Sequence, residues 1–313
     1  MPLKMQETQK VNPLVVLLQK IFSQLWNAGL FENVDALRSQ GLGKIAQKRS
    51  KKVQEELHEL RSKLLANSDH RHLQFTTSDE VLLDGMLLNA GKEKVILFVP
   101  GIGSFYEKIG EDASVISRFY AFFENHFPDH SVLVFNSRGI GQSEGSFDLN
   151  KLYLDTVSAY HYLMDEQGYK LDSILLYTHS LGGLHATQGA SIIQKQFPHV
   201  KMSAVNDRSL GEITTFTKAF LEESTFGDFA AGLVDKLGLN LSAKAAWESL
   251  TGNKVVIVSK HDKTIPYEKA AFCHFVKCGK VIHLEGSDQD PDHHTRCFTT
   301  DEAQHIAQTI AQK

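Results

Sequence analysis

Leu175-Leu176-Tyr177-Thr178-His179-Ser180-Leu181-Gly182-Gly183 is the stretch on which the reading of this chain turns. An apolar run ends at a serine, two glycines follow, and residues 184–194 have the composition of a helix. This is a strand, a sharp turn and a helix, with Ser180 at the apex. The stretch matches the elbow pattern Gly-x-Ser-x-Gly everywhere but its first position, where Thr178 replaces glycine. Such a turn lifts the serine Oγ out of the sheet, and the small residues after it let strand and helix meet closely. The amide of Leu181 then opens a helix, where an N–H can stabilise an oxyanion. The competing reading of the same residues is a Ser-Gly turn that starts a helix and carries no chemistry.

Outward from this turn, short apolar runs alternate with helical stretches. Strands are expected at 73–77 and 81–89, around a turn at 78–80, then at 95–99, 131–135, 173–177, 202–205, 255–258 and 281–284. Helices are expected at 113–123 and 152–164, and a last one from about Asp301, where Thr299 and Glu302 can form a capping box. Alternation of this kind implies an α/β fold with a mainly parallel sheet covered on both faces. Ligands then bind beyond the carboxyl ends of the strands. Residues 1–70 contain no strand pattern. Val15, Leu18, Phe22, Leu25 and Trp26 share one helical face, a basic run covers 44–52, and Val53, Leu57, Leu60 and Leu64 repeat at helical spacing. They form an expected N-terminal helical extension to a domain at 71–313. An apolar face followed by basic residues also allows peripheral contact with an anionic membrane. Residues 209–250 exceed what one crossover needs and are rich in phenylalanine and leucine, so either a small helical cap or ordinary core is expected there.

Several ordered signals make residues 73–313 resemble the α/β-hydrolase superfamily. They are Val99-Pro100-Gly101-Ile102-Gly103 after a strand, the turn Arg138-Gly139-Ile140-Gly141-Gln142-Ser143-Glu144-Gly145, the elbow at Ser180, His261-Asp262-Lys263-Thr264-Ile265-Pro266 after a later strand, and a histidine near the C-terminus. The resemblance implies a serine hydrolase acting on a carboxylic ester or thioester with an apolar acyl group, and Ser, Asp, His is the chain order of this fold. A serine hydroxyl needs a base within hydrogen-bond reach, and the base needs an acid to fix its tautomer. Ser180 is the expected nucleophile and Asp262 the expected acid. With 15 histidines in the chain, only position selects the base. His294 is favoured because His294-Thr295-Arg296-Cys297-Phe298 resembles the continuation seen in the family, and His293 stays open as the alternative. His283 lies within a strand and reads as structural, and His179 as packing or hydrogen-bonding locally. The expected oxyanion donors are the amides of Ile102 and Leu181. Arg208 is a candidate for holding a substrate carboxylate or phosphate, against an ion pair with Asp207 or Glu212. Within the superfamily, the helical N-terminal extension resembles that of uncharacterised hydrolases from intracellular bacteria.

Composition narrows the rest. The chain has 313 residues, 42% of them hydrophobic, enough for a substantial core. A net charge of -4 is too small to imply a nucleic-acid partner. Cys273, Cys278 and Cys297 lack zinc spacing and fit free thiols in a reducing compartment. The acidic and histidine-bearing loop at 288–297 has metal-ligand types in no recognised metal spacing, so neither metal nor cofactor is expected. The apolar run at 14–18 is too short for a signal peptide. A cytoplasmic setting is expected, with a secreted effector lacking a cleavable signal as the alternative. The expected partner is a small-molecule or lipid-like acyl substrate. An acyltransferase on the same fold and a non-catalytic binding protein are the competing functions.

Overall fold

The computed structural model describes residues 51–101, 104–111, 114–221, 225–236, 238–277, 279–286 and 292–312. The expected helical face at Val15 to Trp26, and with it the membrane-contact reading, lies outside them. Its central element is an eight-stranded sheet in the order β1-β2-β4-β3-β5-β6-β7-β8. In chain order the elements are α1 (Lys51–Leu64), β1 (Arg71–Thr76), β2 (Leu82–Leu88), β3 (Lys94–Val99), α2 (Val115–His126), β4 (His130–Phe135), α3 (Leu152–His161), β5 (Ile174–His179), α4 (Leu181–Gln196), β6 (Ser203–Asp207), α5 (Ile213–Phe220), α6 (Thr225–Lys236), α7 (Lys244–Ser249), β7 (Lys254–Ser259), α8 (Tyr267–Ala270), β8 (Lys280–Leu284) and α9 (Thr300–Ala311). β2 pairs antiparallel with both β1 and β4, and every other pairing is parallel. Each strand expected from the sequence is present. The mainly parallel α/β sheet is therefore the architecture of this chain.

Side-chain alternation on the strands divides the core in two. Val95, Leu97 and Val99 of β3 point to the face covered by α3, α4 and α7, where they meet Ala159, Leu184, Ile193 and Trp247. Ile96 and Phe98 point to the opposite face, where Phe119 and Phe123 of α2 and Ile306 of α9 cover them. A strand buried on both faces must be apolar throughout, which is why β3 and β5 read as continuous hydrophobic runs.

Two departures from the expected pattern matter for the site. β6 continues past Val205 through Asn206 and Asp207, because those residues pair with Thr178 and His179 of β5 and with Val256 and Ile257 of β7. Two polar residues at the end of an apolar run hid this extension. The segment at 209–250 sends Leu210, Ile213, Leu221, Leu239, Trp247 and Leu250 into the same core cluster as β3 and β5. The side chains of Phe226, Phe229 and Leu233 lie outside the described ones. Among the described residues, no helix is long and apolar enough to cross a membrane.

Candidate active site

The site forms where β3, β5 and β7 end and the loop after β8 returns. β5 passes into α4 with no intervening loop, so Ser180 alone absorbs the turn. Its φ is 56° and its ψ -130°, a conformation that costs a non-glycine residue roughly 1–3 kcal/mol. The surroundings hold it there. Its N–H donates to the Asp207 carbonyl at 3.1 Å, and its carbonyl accepts from the Gly183 N–H at 3.0 Å. A side chain on Gly182 would overlap the Val99 and Pro100 carbonyls, and one on Gly183 would overlap Ser209 and Asn206. Gly101 packs directly against Ser180, since a Cβ there would lie 2.9 Å from that of the serine. Thr178 fits the first position of the turn because its Oγ1 donates to the Val205 carbonyl at 3.0 Å on β6.

The serine Oγ lies 2.9 Å from Nε2 of His294, and Nδ1 of His294 lies 2.9 Å from Oδ2 of Asp262. Asp262 follows β7, and its Oδ1 accepts the N–H groups of Thr264 and Ile265, both at 2.8 Å. That turn directs Oδ2 at the histidine. With Nδ1–H donating to a carboxylate, Nε2 is left as the acceptor for the serine hydroxyl. Both His294 and Asp262 are buried. Asp292 shapes the loop that carries the histidine: its Oδ1 accepts the His294 N–H at 3.0 Å and its Oδ2 accepts the Thr295 hydroxyl at 2.7 Å.

The neighbouring His293 points inward. Its Nδ1 is 2.9 Å from the Ser259 Oγ and accepts from the Arg296 Nε at 3.4 Å, with 1% of the residue exposed. His179 both packs and hydrogen-bonds: its Nε2 donates to the His294 carbonyl at 2.9 Å, and its ring lies 4.8 Å from the His294 ring and 4.9 Å from that of Phe119. Burial, with the charges of His294 and Arg208 nearby, holds its pKa well below the usual histidine range, so it is neutral.

Arg208 is engaged inside the protein. Its Nε and Nη2 donate to the two oxygens of Asp207 at 2.7 and 3.0 Å, and its Nη1 donates to the carbonyls of His293 and Arg296 at 3.0 and 3.2 Å. Phe119 and Phe298 flank the guanidinium, 5.6 and 5.0 Å from their ring centres. Of the two expected roles it has the ion pair, and through its remaining arm it ties down the loop that carries His294. Leu181 is the first residue of α4, so its amide sits at the helix N-terminus beside Ser180. Ile102 lies outside the described residues, as do Asp288 and Asp290 of the acidic loop. Among the described residues, no group of three or more histidine, cysteine or carboxylate side chains is placed to hold a metal.

A buried charge cluster around Asp84 and Glu107 escaped the sequence reading. Arg61 of α1 donates through Nη2 to Asp84 at 2.8 Å and Glu107 at 3.0 Å. The Tyr106 hydroxyl donates to Asp84 at 2.7 Å and the Asn136 amide to Glu107 at 2.9 Å. Burial pushes the Glu107 carboxyl above the usual range despite these donors. The cluster fixes the segment after Gly101. The one signal for it was Asp84, a lone charge inside the apolar run at 81–89. A small pocket of about 20 Å³ is lined by Pro100, Gly101, Leu181 and His185 among others.

The model of the family described as Chlamydia CHLPS protein (DUF818) matches residues 14–269. An uncharacterised protein of Acanthamoeba polyphaga mimivirus is 27% identical over 245 residues, 74% of this chain and 79% of that protein. An alpha-beta hydrolase from Vibrio vulnificus superposes with a TM-score of 0.58 at 17% identity, covering 83% of this chain and 81% of that one. An esterase from Pyrococcus furiosus superposes with a TM-score of 0.54 at 18% identity, covering 77% and 89%. At such identities the likeness establishes the fold, which is that of the α/β hydrolases.

Proposed function

The chain belongs to the Chlamydia CHLPS protein (DUF818) family, and from that premise we propose that it is a serine hydrolase cleaving a carboxylic ester or thioester through an acyl-enzyme. The observation that carries this reading is the unbroken hydrogen-bonded chain from Ser180 Oγ through the His294 ring to Asp262, with 2.9 Å at each link. Ser180 attacks the substrate carbonyl while His294 Nε2 takes the hydroxyl proton. Asp262 holds the ring in the Nδ1–H tautomer and stabilises the imidazolium that forms. The amides of Leu181 and Ile102 receive the oxyanion. His294 then gives its proton to the leaving oxygen or sulfur, and a water activated by the same nitrogen hydrolyses the acyl-serine. The strained backbone of Ser180 belongs to this reading, because a turn that costs free energy is kept where it presents a side chain.

Labelling with a fluorophosphonate probe tests it, since the probe reports an activated serine with no knowledge of the substrate. Wild type is expected to be labelled, and Ser180→Ala to lose both labelling and ester turnover while keeping its fold. An unlabelled wild type would favour a non-catalytic binding protein on this fold. Labelling with acyl transfer to an added alcohol in preference to water would favour the acyltransferase.

A further inference from the structure

The loop that carries His294 is held by its carbonyls, and one of the donors belongs to the residue beside the nucleophile. Four successive carbonyls of the loop accept hydrogen bonds from outside it. Those of His293 and Arg296 accept from Arg208 Nη1 at 3.0 and 3.2 Å, and that of Thr295 accepts from Arg118 Nη1 of α2 at 2.8 Å. The carbonyl of His294 itself accepts from His179 Nε2 at 2.9 Å. Arg208 and Arg118 reach the loop through long, many-jointed side chains. His179 reaches it through a ring only two torsions from the backbone. That backbone is the end of β5, in register with Asp207 of β6, and Ser180 follows directly.

Ser180 and His294 are therefore joined twice, once from Oγ to Nε2 and once through the His179 ring to the His294 carbonyl. The first link is broken and remade in each turnover, as the serine attacks and the proton moves. The second involves no reacting atom. Phe119 backs the His179 ring at 4.9 Å, and the His294 ring lies 4.8 Å from it. A carbonyl acceptor requires a proton on Nε2, and burial keeps the ring neutral. Neutrality matters here, because His294 becomes an imidazolium when it takes the serine proton, and a cation one ring away would oppose that charge. A phenylalanine at 179 would pack against Phe119 as well, but it would leave the His294 carbonyl without its donor.

We propose that His179 is a positioning residue for the base: as an uncharged Nε2–H donor to the His294 carbonyl, it keeps His294 within hydrogen-bond reach of Ser180 through the steps in which the bond between them is broken. This inference rests on the serine-hydrolase reading and deepens it. His179 acts through His294 and takes no part in the proton transfers at Ser180.

The test measures kcat and KM for p-nitrophenyl butyrate in wild type, His179→Phe and His179→Gln. Active sites are counted by fluorophosphonate titration run to completion, so that a loss of folded enzyme is not read as a loss of kcat. A base displaced by a fraction of an ångström to an ångström corresponds to a fall in kcat of roughly 10- to 100-fold in His179→Phe. KM is expected to stay within about twofold, because the interaction lost is not one with substrate. In His179→Gln, whose amide Nε2 can stand near the place of the ring Nε2, kcat is expected to return to within about threefold of wild type. A wild-type kcat per active site in His179→Phe overturns the inference. So does a loss of equal size in both variants, which would mean that the ring's shape matters and its N–H does not, and so does a rise in KM at unchanged kcat. If His179→Phe does not fold, His179→Asn replaces it, since its shorter amide stops short of the carbonyl. Labelling separates the two levels. A labelled wild type whose variants fail these expectations loses this inference alone, whereas an unlabelled wild type loses the hydrolase reading and this inference with it.

Discussion

Two buried arginines, Arg208 and Arg61, are built into the protein in different ways. Arg208 pairs with the residue before it, one guanidinium to one carboxylate, and both are buried. Its remaining arm is free to hold the carbonyls of His293 and Arg296. Arg61 comes from a helix outside the sheet and serves two buried carboxylates, Asp84 and Glu107. The first arrangement is balanced in charge, so its arginine can hold backbone. The second sets one guanidinium against two buried carboxylates, with His72 Nε2 also 2.7 Å from Asp84, and burial keeps the Glu107 pKa raised. Arg208 is thus built to position the loop that carries His294, and Arg61 to attach α1 to the sheet.

The comparison has consequences that can be measured. The largest expected effect is on the base side. His294→Ala should lower kcat on an activated ester by a factor on the order of 10⁴ or more, since the members of such a triad act as a unit. His293→Ala should cost far less, because that ring faces Ser259 and Arg296. Steady-state kinetics on both variants decide this, and the reverse ranking would move the base to His293.

Next in size is Arg208→Met. It strands the buried Asp207 carboxylate and is expected to destabilise the protein by about 3–5 kcal/mol, read from urea denaturation. It should also lower kcat in whatever fraction remains folded, as the loop that carries His294 loses two hydrogen bonds.

His185 gives a pH signature of its own. Its folded pKa of about 4 lies below the 6.5 of an unfolded histidine. Between those values the unfolded chain binds more protons, so stability is lost as pH falls. The loss amounts to about 3 kcal/mol by pH 4. His185→Phe should show a shallower decline over that window than wild type, and parallel curves would refute the buried neutral state.

Arg61→Met should cost less than Arg208→Met, at most about 3 kcal/mol at pH 7. Without Arg61, Glu107 rises further above its unfolded pKa. The native state then binds the extra proton, and the deficit against wild type should shrink between pH 7 and pH 5. A deficit that grows on acidification would mean that the two clusters are not built on different principles.

The smallest effect tests the frame of the base side. Thr299 caps α9, accepting the Glu302 N–H at 3.3 Å, while Glu302 returns a bond to the Thr299 N–H at 2.8 Å and pairs with Arg296 at 2.7 Å. Thr299→Ala should lower stability by about 1 kcal/mol in thermal or urea unfolding, with little change in kcat. A large fall in kcat would show that the cap positions the base loop through Arg296.

Much of this was legible because it is local. The elbow at Ser180 is announced by its two glycines, and the structure gives the reason: a side chain at either would strike β3 or the residues after β6. The capping box of α9 spans four residues and appears in the structure with both of its hydrogen bonds. Strand and helix assignments followed from burial on one or both faces. They stopped short at the ends of β5 and β6, where polar Thr178, His179, Asn206 and Asp207 continue the strands, and gave no helix at Tyr267–Ala270.

By itself, then, the sequence determined the strand and helix alternation, the presence of a serine at a strand-to-helix turn, and an aspartate turn after a later strand. Those depend on contacts between near neighbours, and the residue types carry them. Only the tertiary structure decided which of two adjacent histidines stands between Ser180 and Asp262, because that choice depends on a loop whose path is set by Asp292 and by Arg208, a residue distant in the chain. The same holds for Arg61 with its two carboxylates and for the unpaired nitrogen of His185. Whether a charged or polar side chain is satisfied depends on partners tens of residues away, and periodicity does not encode those meetings. Burial does, and burial is settled only when the sheet closes and its helices pack.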